Sequence, residues 1–272
     1  PTVWAWRPKR AAKIAKLYDH LLCLFPFEPP YFEIEGLSTS FIGHPLVTGP
    51  ASLADPDGFK AQHGLTGDDK TLITVLPGSR RSEVSRLSEV FGESLGRLRD
   101  ELGPIHAIIP TVSSVASMVR EATADWPVDV TLIDDLREKY HAMAAGRVAL
   151  AASGTVSLEL ALTRIPAVLA YRGHPISAEI FRRMAITKYV GLPNVILDKP
   201  LIAECLQENC TPERLTRELL TLLRDQSASQ AVLDGYEQIA EELGQGSLEP
   251  AHSAAERLLS LLGEYPAKAD PA

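Results

Sequence analysis

The stretch TLITVLPGSRR, Thr71 to Arg81, decides the fold. Thr71 to Leu76 is a short, nearly all-apolar run rich in β-formers, as expected of a strand covered on both faces. Pro77-Gly78 ends it. From Arg81 to Leu102 the apolar residues Val84, Leu87, Phe91, Leu95 and Leu98 recur at spacings of three and four, which places one greasy stripe along a helix. A buried strand that turns tightly into a long amphipathic helix is half of a βαβ unit, and the same alternation runs outward from it. Strands are predicted at Ser40 to Gly43, Ile105 to Ile109, Val128 to Ile133, Val148 to Ala152 and Ala167 to Tyr171. Helices are predicted at Val112 to Thr123, Leu136 to Ala145, Val156 to Thr163 and Ile176 to Ala185. The class is α/β with a parallel sheet.

Beyond Pro200 the strands stop and the sheet reads as complete. Pro212 to Arg224, Ala228 to Leu243 and Ala251 to Leu262 read as three consecutive helices, and the tail Pro266 to Ala272 as frayed. Gly49 to Asp69 is polar and turn-rich, a linker or surface loop. Residues 1–40, basic and aromatic and then FPFEPPYF, do not continue the βα alternation.

The chain has 272 residues, 45% hydrophobic and 23% charged, the composition of an ordinary globular protein. A net charge of -8 repels a polyanion from most of the surface, which argues against nucleic acid as a partner. Cys23, Cys205 and Cys210 are scattered, with no CxxC pair, so neither a disulfide framework nor a zinc site is expected and a reducing compartment fits. No apolar run approaches the roughly 20 residues that span a bilayer, and no secretory leader is evident, so the expected location is cytoplasmic. The sequence opens on Pro1, without Met, and an upstream portion is expected.

In an open parallel sheet, ligands sit beyond the carboxyl ends of the strands. Three such junctions stand out. Leu76-Pro77-Gly78-Ser79-Arg80-Arg81 combines a turn that lets backbone approach a ligand with a hydroxyl and two guanidinium groups at a helix start, an anion seat. The plainer reading is a turn and a helix cap. Ala151 to Glu159 ends a strand in small residues, and Ser153-Gly154-Thr155 can hold a diphosphate while Glu159 accepts from two neighbouring sugar hydroxyls. The plainer reading is again a cap with an acidic first turn. The third is Tyr171-Arg172-Gly173-His174, followed by Gly191-Leu192-Pro193-Asn194. Here Arg172 offers charge and Asn194 both donor and acceptor, although Asn after Pro is commonly only a turn residue. His44 and His174, each in Gly-His-Pro, read more simply as loop-satisfied imidazoles than as acid–base groups.

No G-x-G-x-x-G after a strand, G-x-x-x-x-G-K-[ST] or G-x-S-x-G is present, which weakens a dinucleotide oxidoreductase, a P-loop nucleotidase and a serine hydrolase. Asp55-Pro56-Asp57-Gly58 is read as a turn and not as a metal site. The opening Trp4, Trp6, Arg7, Lys9, Arg10, Lys13 and Lys16 suits either anionic lipid headgroups or a solvated helix with one buried Trp.

Taken in order, Pro1 to Arg7 (PTVWAWR), FPFE (Phe25 to Glu28), FIGHP (Phe41 to Pro45), LPGSR (Leu76 to Arg80), ASGTVSLE (Ala152 to Glu159), YR (Tyr171 and Arg172) and GLPN (Gly191 to Asn194) resemble the lipid-A-disaccharide synthases along essentially the whole chain. The resemblance implies a Rossmann-like lobe of a GT-B-type glycosyltransferase. Residues 1–40 would be the end of an N-terminal acceptor lobe, 41–225 the UDP-sugar-binding lobe, and 226–272 helices that pack back across the boundary. It implies inverting transfer from a UDP-2,3-diacylglucosamine donor to a 2,3-diacylglucosamine 1-phosphate acceptor, giving a β-1,6 disaccharide and UDP.

Carried over, Gly78, Ser79 and Arg80 would meet the diphosphate together with Ser153, Gly154 and Thr155. Glu159 would bind the ribose, while Tyr171, Arg172, Pro193 and Asn194 would complete the donor side. Arg80 and Asn194 would be the catalytic contributors. The general base is expected upstream, so these residues should bind UDP yet turn over poorly. No metal and no cofactor are implied. The partners implied are the two acylated sugars and the inner-membrane surface, on which the protein would be peripheral, and a homodimer is compatible. His174 stands where the family often has Lys and receives no phosphate role. Two alternatives stay open: a UDP-sugar 2-epimerase of the same architecture, which needs no acceptor, and a non-catalytic nucleotide-binding module.

Overall fold

A computed structural model describes residues 2–67, 69–173 and 186–264. The first unit is small. Strand β1 (His20–Cys23), helix α2 (Pro29–Glu33) and strand β2 (Ser38–Phe41) form a parallel crossover preceded by helix α1 (Arg10–Ala15), with Cys23 opposite Phe41. The expected strand at Ser40 to Gly43 is therefore found at Ser38–Phe41, in a sheet of its own. Contrary to expectation, residues 1–40 do carry βα alternation. The first strand escaped notice because HLLC is short and only its Cys23 is buried.

Among the described residues the main sheet has six parallel strands, β3 (Thr71–Leu76), β4 (Ile105–Pro110), β5 (Asp129–Ile133), β6 (Val148–Ala152), β7 (Ala167–Tyr171) and β8 (Ala203–Leu206), in the order β5-β4-β3-β6-β7-β8. Successive residues of a strand face opposite sides, and β3 obeys this. Ile73 and Val75 join the core lined by helices α4 (Arg81–Leu102), α5 (Ala116–Thr123) and α9 (Pro212–Arg224). Leu72 and Leu76 face the other layer. That layer is built from α3 (Pro56–Gln62), α6 (Lys139–Ala144), α7 (Val156–Leu162), α8 (Leu192–Ile196) and α10 (Gln226–Glu242). Helix α11 (Pro250–Glu264) follows, and the bend before it closes on Gly43, where a Cβ would lie 3.2 Å from Leu248. Phe25 and Phe27 pack on the second core, joining the small unit to the large one.

The sheet is not complete at Pro200. Strand β8 extends it, with Cys205 opposite Ala170. A four-residue edge strand with a carboxylate at its second position lacks the apolar run that marks a central strand. Nor is 49–69 a bare loop. Asp55 caps α3 by accepting from the Gly58 N–H at 2.9 Å, Pro56 takes the first helical position, and Phe59 is buried. The same Pro-Asp-Gly that reads as a turn thus starts a helix. Helix α6 begins later than expected because the Asp135 carboxylate accepts from the Arg137 N–H at 2.9 Å and ties that stretch into a turn. The helix expected at Ile176 to Ala185, His174 and the tail Pro266 to Ala272 lie outside the described residues.

Candidate functional site

From β3 the chain moves to one flank through β4 and β5, then crosses back to pair β6 with the other edge of β3. This reversal sets the carboxyl ends of β3 and β6 at the switch in strand order, the usual ligand position in such sheets. Leu76 lies opposite Ala151 and Ala152 opposite Ala170, so the three junctions singled out by sequence emerge side by side. Among the described residues, two buried hydroxyls at this rim, Thr111 Oγ1 and Ser153 Oγ, have no hydrogen-bond partner.

At the first junction Gly78 adopts φ +123°, and a Cβ there would sit 2.4 Å from the Glu83 Cβ. Glycine alone suits that position. The Glu83 carboxylate accepts from the Ser79 N–H at 3.0 Å and the Arg80 N–H at 3.2 Å, and it pairs with Arg80 Nη1 at 2.7 Å. Two of the N–H groups foreseen for an anion are therefore engaged by an internal carboxylate at the positive end of a 22-residue helix. The Arg80 side chain itself remains 77% exposed.

At the second junction Ser153 N–H completes the sheet by donating to the Ala170 carbonyl at 2.8 Å. Gly154 faces open space, and the exposed Thr155 hydroxyl makes no capping bond. One turn on, Glu159 is already partnered. Lys139 Nζ lies 2.8 Å from both of its oxygens, and the Tyr140 hydroxyl donates to Oε1 at 3.2 Å. Burial, and after it the Glu159 charge, push the Tyr140 hydroxyl up to about 12.

The third junction is mostly internal in its bonding. Arg172 donates through Nε and Nη2 to the Cys210 carbonyl at 3.0 and 2.5 Å, tying the end of β7 to the start of α9. Tyr171 is 37% exposed. Pro193 and Asn194 are both buried. Asn194 Nδ2 donates to the Ile202 carbonyl at 2.9 Å and to Glu204 Oε1 at 2.8 Å, while Oδ1 accepts from the Ile202 N–H at 2.9 Å. The amide expected to face the donor is thus engaged within the protein. Glu204 also accepts from the Val190 and Gly191 N–H groups, so a side chain of β8 fixes the GLPN turn.

Away from this rim, His44 Nδ1 accepts from the Leu46 N–H at 3.2 Å, and burial lowers its pKa. Trp4 is buried edge-on to Phe25 and Phe27 and donates to Glu28 Oε1 at 3.3 Å, while Trp6 lies under the Arg7 guanidinium at 3.8 Å.

Sequence reasoning missed Glu83, Lys139, Tyr140 and Glu204. Only Glu83 carried a local signal, an acid at the third helical position that can bond back to the cap. The others act across long sequence separations.

Residues 1–258 match the family model described as lipid-A-disaccharide synthetase. A lipid-A-disaccharide synthase of Rhodospirillum centenum is 51% identical over 263 residues, covering 96% of this chain and 65% of that protein. Among solved structures, UDP-GlcNAc 2-epimerase from Neisseria meningitidis bound to UDP-GlcNAc aligns with TM-score 0.60 at 12% identity, over 92% of this chain and 62% of that one. Acinetobacter baumannii MurG aligns with TM-score 0.51 at 14% identity, over 93% and 62%. At such identities they share the fold, the Rossmann-like GT-B type expected from the sequence. The chain spans just under two thirds of the length of each of these proteins. With the family model matched from its first residue to the last helix, this chain belongs to the lipid-A-disaccharide synthetase family.

Proposed function

We propose that the chain supplies the donor side of lipid A disaccharide synthesis, binding UDP-2,3-diacylglucosamine for inverting transfer to 2,3-diacylglucosamine 1-phosphate with release of UDP. The observation that carries this reading is the strand-order reversal between β3 and β6, which sets the Pro77 to Arg80 and Ser153 to Thr155 turns side by side. As the glycosidic bond to UDP breaks, negative charge grows on the diphosphate, and fixed donors aimed there lower the barrier without reorganising. Arg80, largely exposed and pinned through one nitrogen, suits a second contact to that charge. The Ser153 and Thr155 hydroxyls and the open backbone at Gly154 suit its oxygens. Glu159 offers its carboxylate to the ribose.

The bonding of Asn194 favours a supporting role for it: with Glu204 it fixes the turn that carries Leu192 and Pro193. Arg172 likewise anchors the neighbouring turn to Cys210. The acceptor hydroxyl loses a proton in the same step, and none of the residues gathered at this rim is assigned that task. No described helix is long and apolar enough to cross a membrane. Contact with the inner-membrane surface is proposed to run through the basic residues of 7–16.

Calorimetric titration with UDP tests the site. Arg80→Ala and Glu159→Ala should each weaken UDP about tenfold or more, the scale of one lost charge-assisted hydrogen bond, while the exposed Glu89→Ala should match the parent. Equal affinities in all four proteins would remove the assignment. Disaccharide formation from labelled UDP-diacylglucosamine and the acylated sugar phosphate separates transfer from epimerisation, which needs no acceptor.

A further inference from the structure

Glu159 is held more tightly than a hydroxyl-binding carboxylate requires, and from a helix that none of the sequence motifs includes. Lys139 and Tyr140 open α6, and both reach the same carboxylate: the ammonium bridges Oε1 and Oε2 at 2.8 Å each, and the phenol adds a bond to Oε1 at 3.2 Å. The Lys139 and Glu159 side chains are 24% and 17% exposed, so this pair is shielded from the solvent that makes surface pairs weak. The ammonium also lies 4.9 Å from the Tyr140 ring centroid, which fixes the two donors relative to each other.

An ionised carboxylate offers about four lone-pair positions, two per oxygen. Lys139 occupies one on each oxygen and Tyr140 the second on Oε1. Among the described residues, one position on Oε2 is left.

We propose that Lys139 and Tyr140 are positioning residues that present Glu159 to the nucleotide through a single remaining acceptor site, so that the pocket reads one ribose hydroxyl and not the diol. This rests on the UDP-binding reading above and deepens it: selectivity for ribose over a deoxyribose resides in α6 as much as in Glu159. A carboxylate without these tethers could rotate and accept from either hydroxyl, or turn to solvent, and its selectivity between the two would disappear.

The test is calorimetric binding of UDP, 2′-deoxy-UDP and 3′-deoxy-UDP to the full chain and to Lys139→Met, Lys139→Arg and Tyr140→Phe, each first checked for a cooperative thermal transition. For the parent, one deoxy analogue should bind about tenfold or more weakly than UDP, as expected for a lost hydrogen bond to a charged acceptor, and the other within about threefold. In Lys139→Met the two analogues should converge to within about threefold of each other. Lys139→Arg should restore the contrast, and Tyr140→Phe should narrow it by freeing the second position on Oε1. If Lys139→Met fails to fold, the Tyr140→Phe ratio decides alone. Equal losses for both analogues in the parent, or a contrast unchanged in the variants, would overturn the positioning role while leaving UDP binding intact. Absence of UDP binding by the parent would overturn the site itself.

Discussion

Removing the Asn194 amide should destabilise the protein far more than its small size suggests. In Asn194→Ala, the N–H and carbonyl of Ile202, a residue only 3% exposed, both lose their side-chain partner, and Glu204 loses its bond at 2.8 Å. Each buried backbone group left unpaired costs about 1 kcal/mol or more, and the bond to the carboxylate contributes about 1.5–3. The sum, about 3–5 kcal/mol, is a large share of the roughly 5–15 kcal/mol by which a domain is stable. Asn194→Asp keeps an acceptor for the Ile202 N–H but sets a second carboxylate against Glu204. One of the two must then hold a proton in the folded protein that the unfolded chain releases near its ordinary pKa. A raised folded pKa favours folding as pH falls, so the Asp penalty should shrink from pH 8 to pH 5 while the Ala penalty stays level. Urea unfolding followed by circular dichroism at both pH values, with m unchanged, measures this. Losses under about 1 kcal/mol for Ala, or a pH-independent Asp penalty, would refute the structural role of the amide and return Asn194 to the donor site.

Other consequences concern groups set by burial. His44 has its pKa lowered by desolvation, and its Nδ1 must stay unprotonated to accept from Leu46. The unfolded chain binds that proton more readily, so stability should fall as pH drops below about 6.5. His44→Asn, which keeps a side-chain acceptor without titrating, should flatten the slope of the urea midpoint between pH 7 and 5; an unchanged slope would exclude His44 as its source. The three thiols should be inert in the native state. Cys23 is pushed up to about 12 by burial and by Glu28, Cys205 to about 11 by burial, and Cys210 is raised as well. All three side chains are buried, so Ellman's reagent at pH 8 should find no fast thiol until denaturant is added. One thiol reacting at the rate of free cysteine would show that a core segment opens locally.

Much of the fold was legible because a parallel sheet writes itself in apolar runs. Thr71–Leu76, Val148–Ala152 and Ala167–Tyr171 are strands at the boundaries read from sequence, and Arg81–Leu102 is the helix read from its stripe. The misses share a cause: β1 and β8 lie outside the central, doubly covered part of the sheets, and neither HLLC nor AECL forms a buried run. In the site, glycine, proline and small hydroxyl residues marked the turns because those turns depend on local backbone geometry. What the turns are bonded to was not legible. Lys139 and Tyr140 reach Glu159 from 20 and 19 residues away, and Glu204 serves a turn that starts 14 residues earlier, so only tertiary packing brings them together.

The strand order also has a consequence for how the chain is made. Because β3 is the first strand of the main sheet and also lies inside it, every later strand adds to a free edge: β4 and then β5 on one flank, β6, β7 and β8 in turn on the other. A ribosome delivering the polypeptide from its amino end therefore never presents a strand that has to be wedged between two partners already zipped together. The sheet can widen outward as it emerges, and the last strand to join is β8, whose Glu204 accepts from the Val190 and Gly191 N–H groups made just before it.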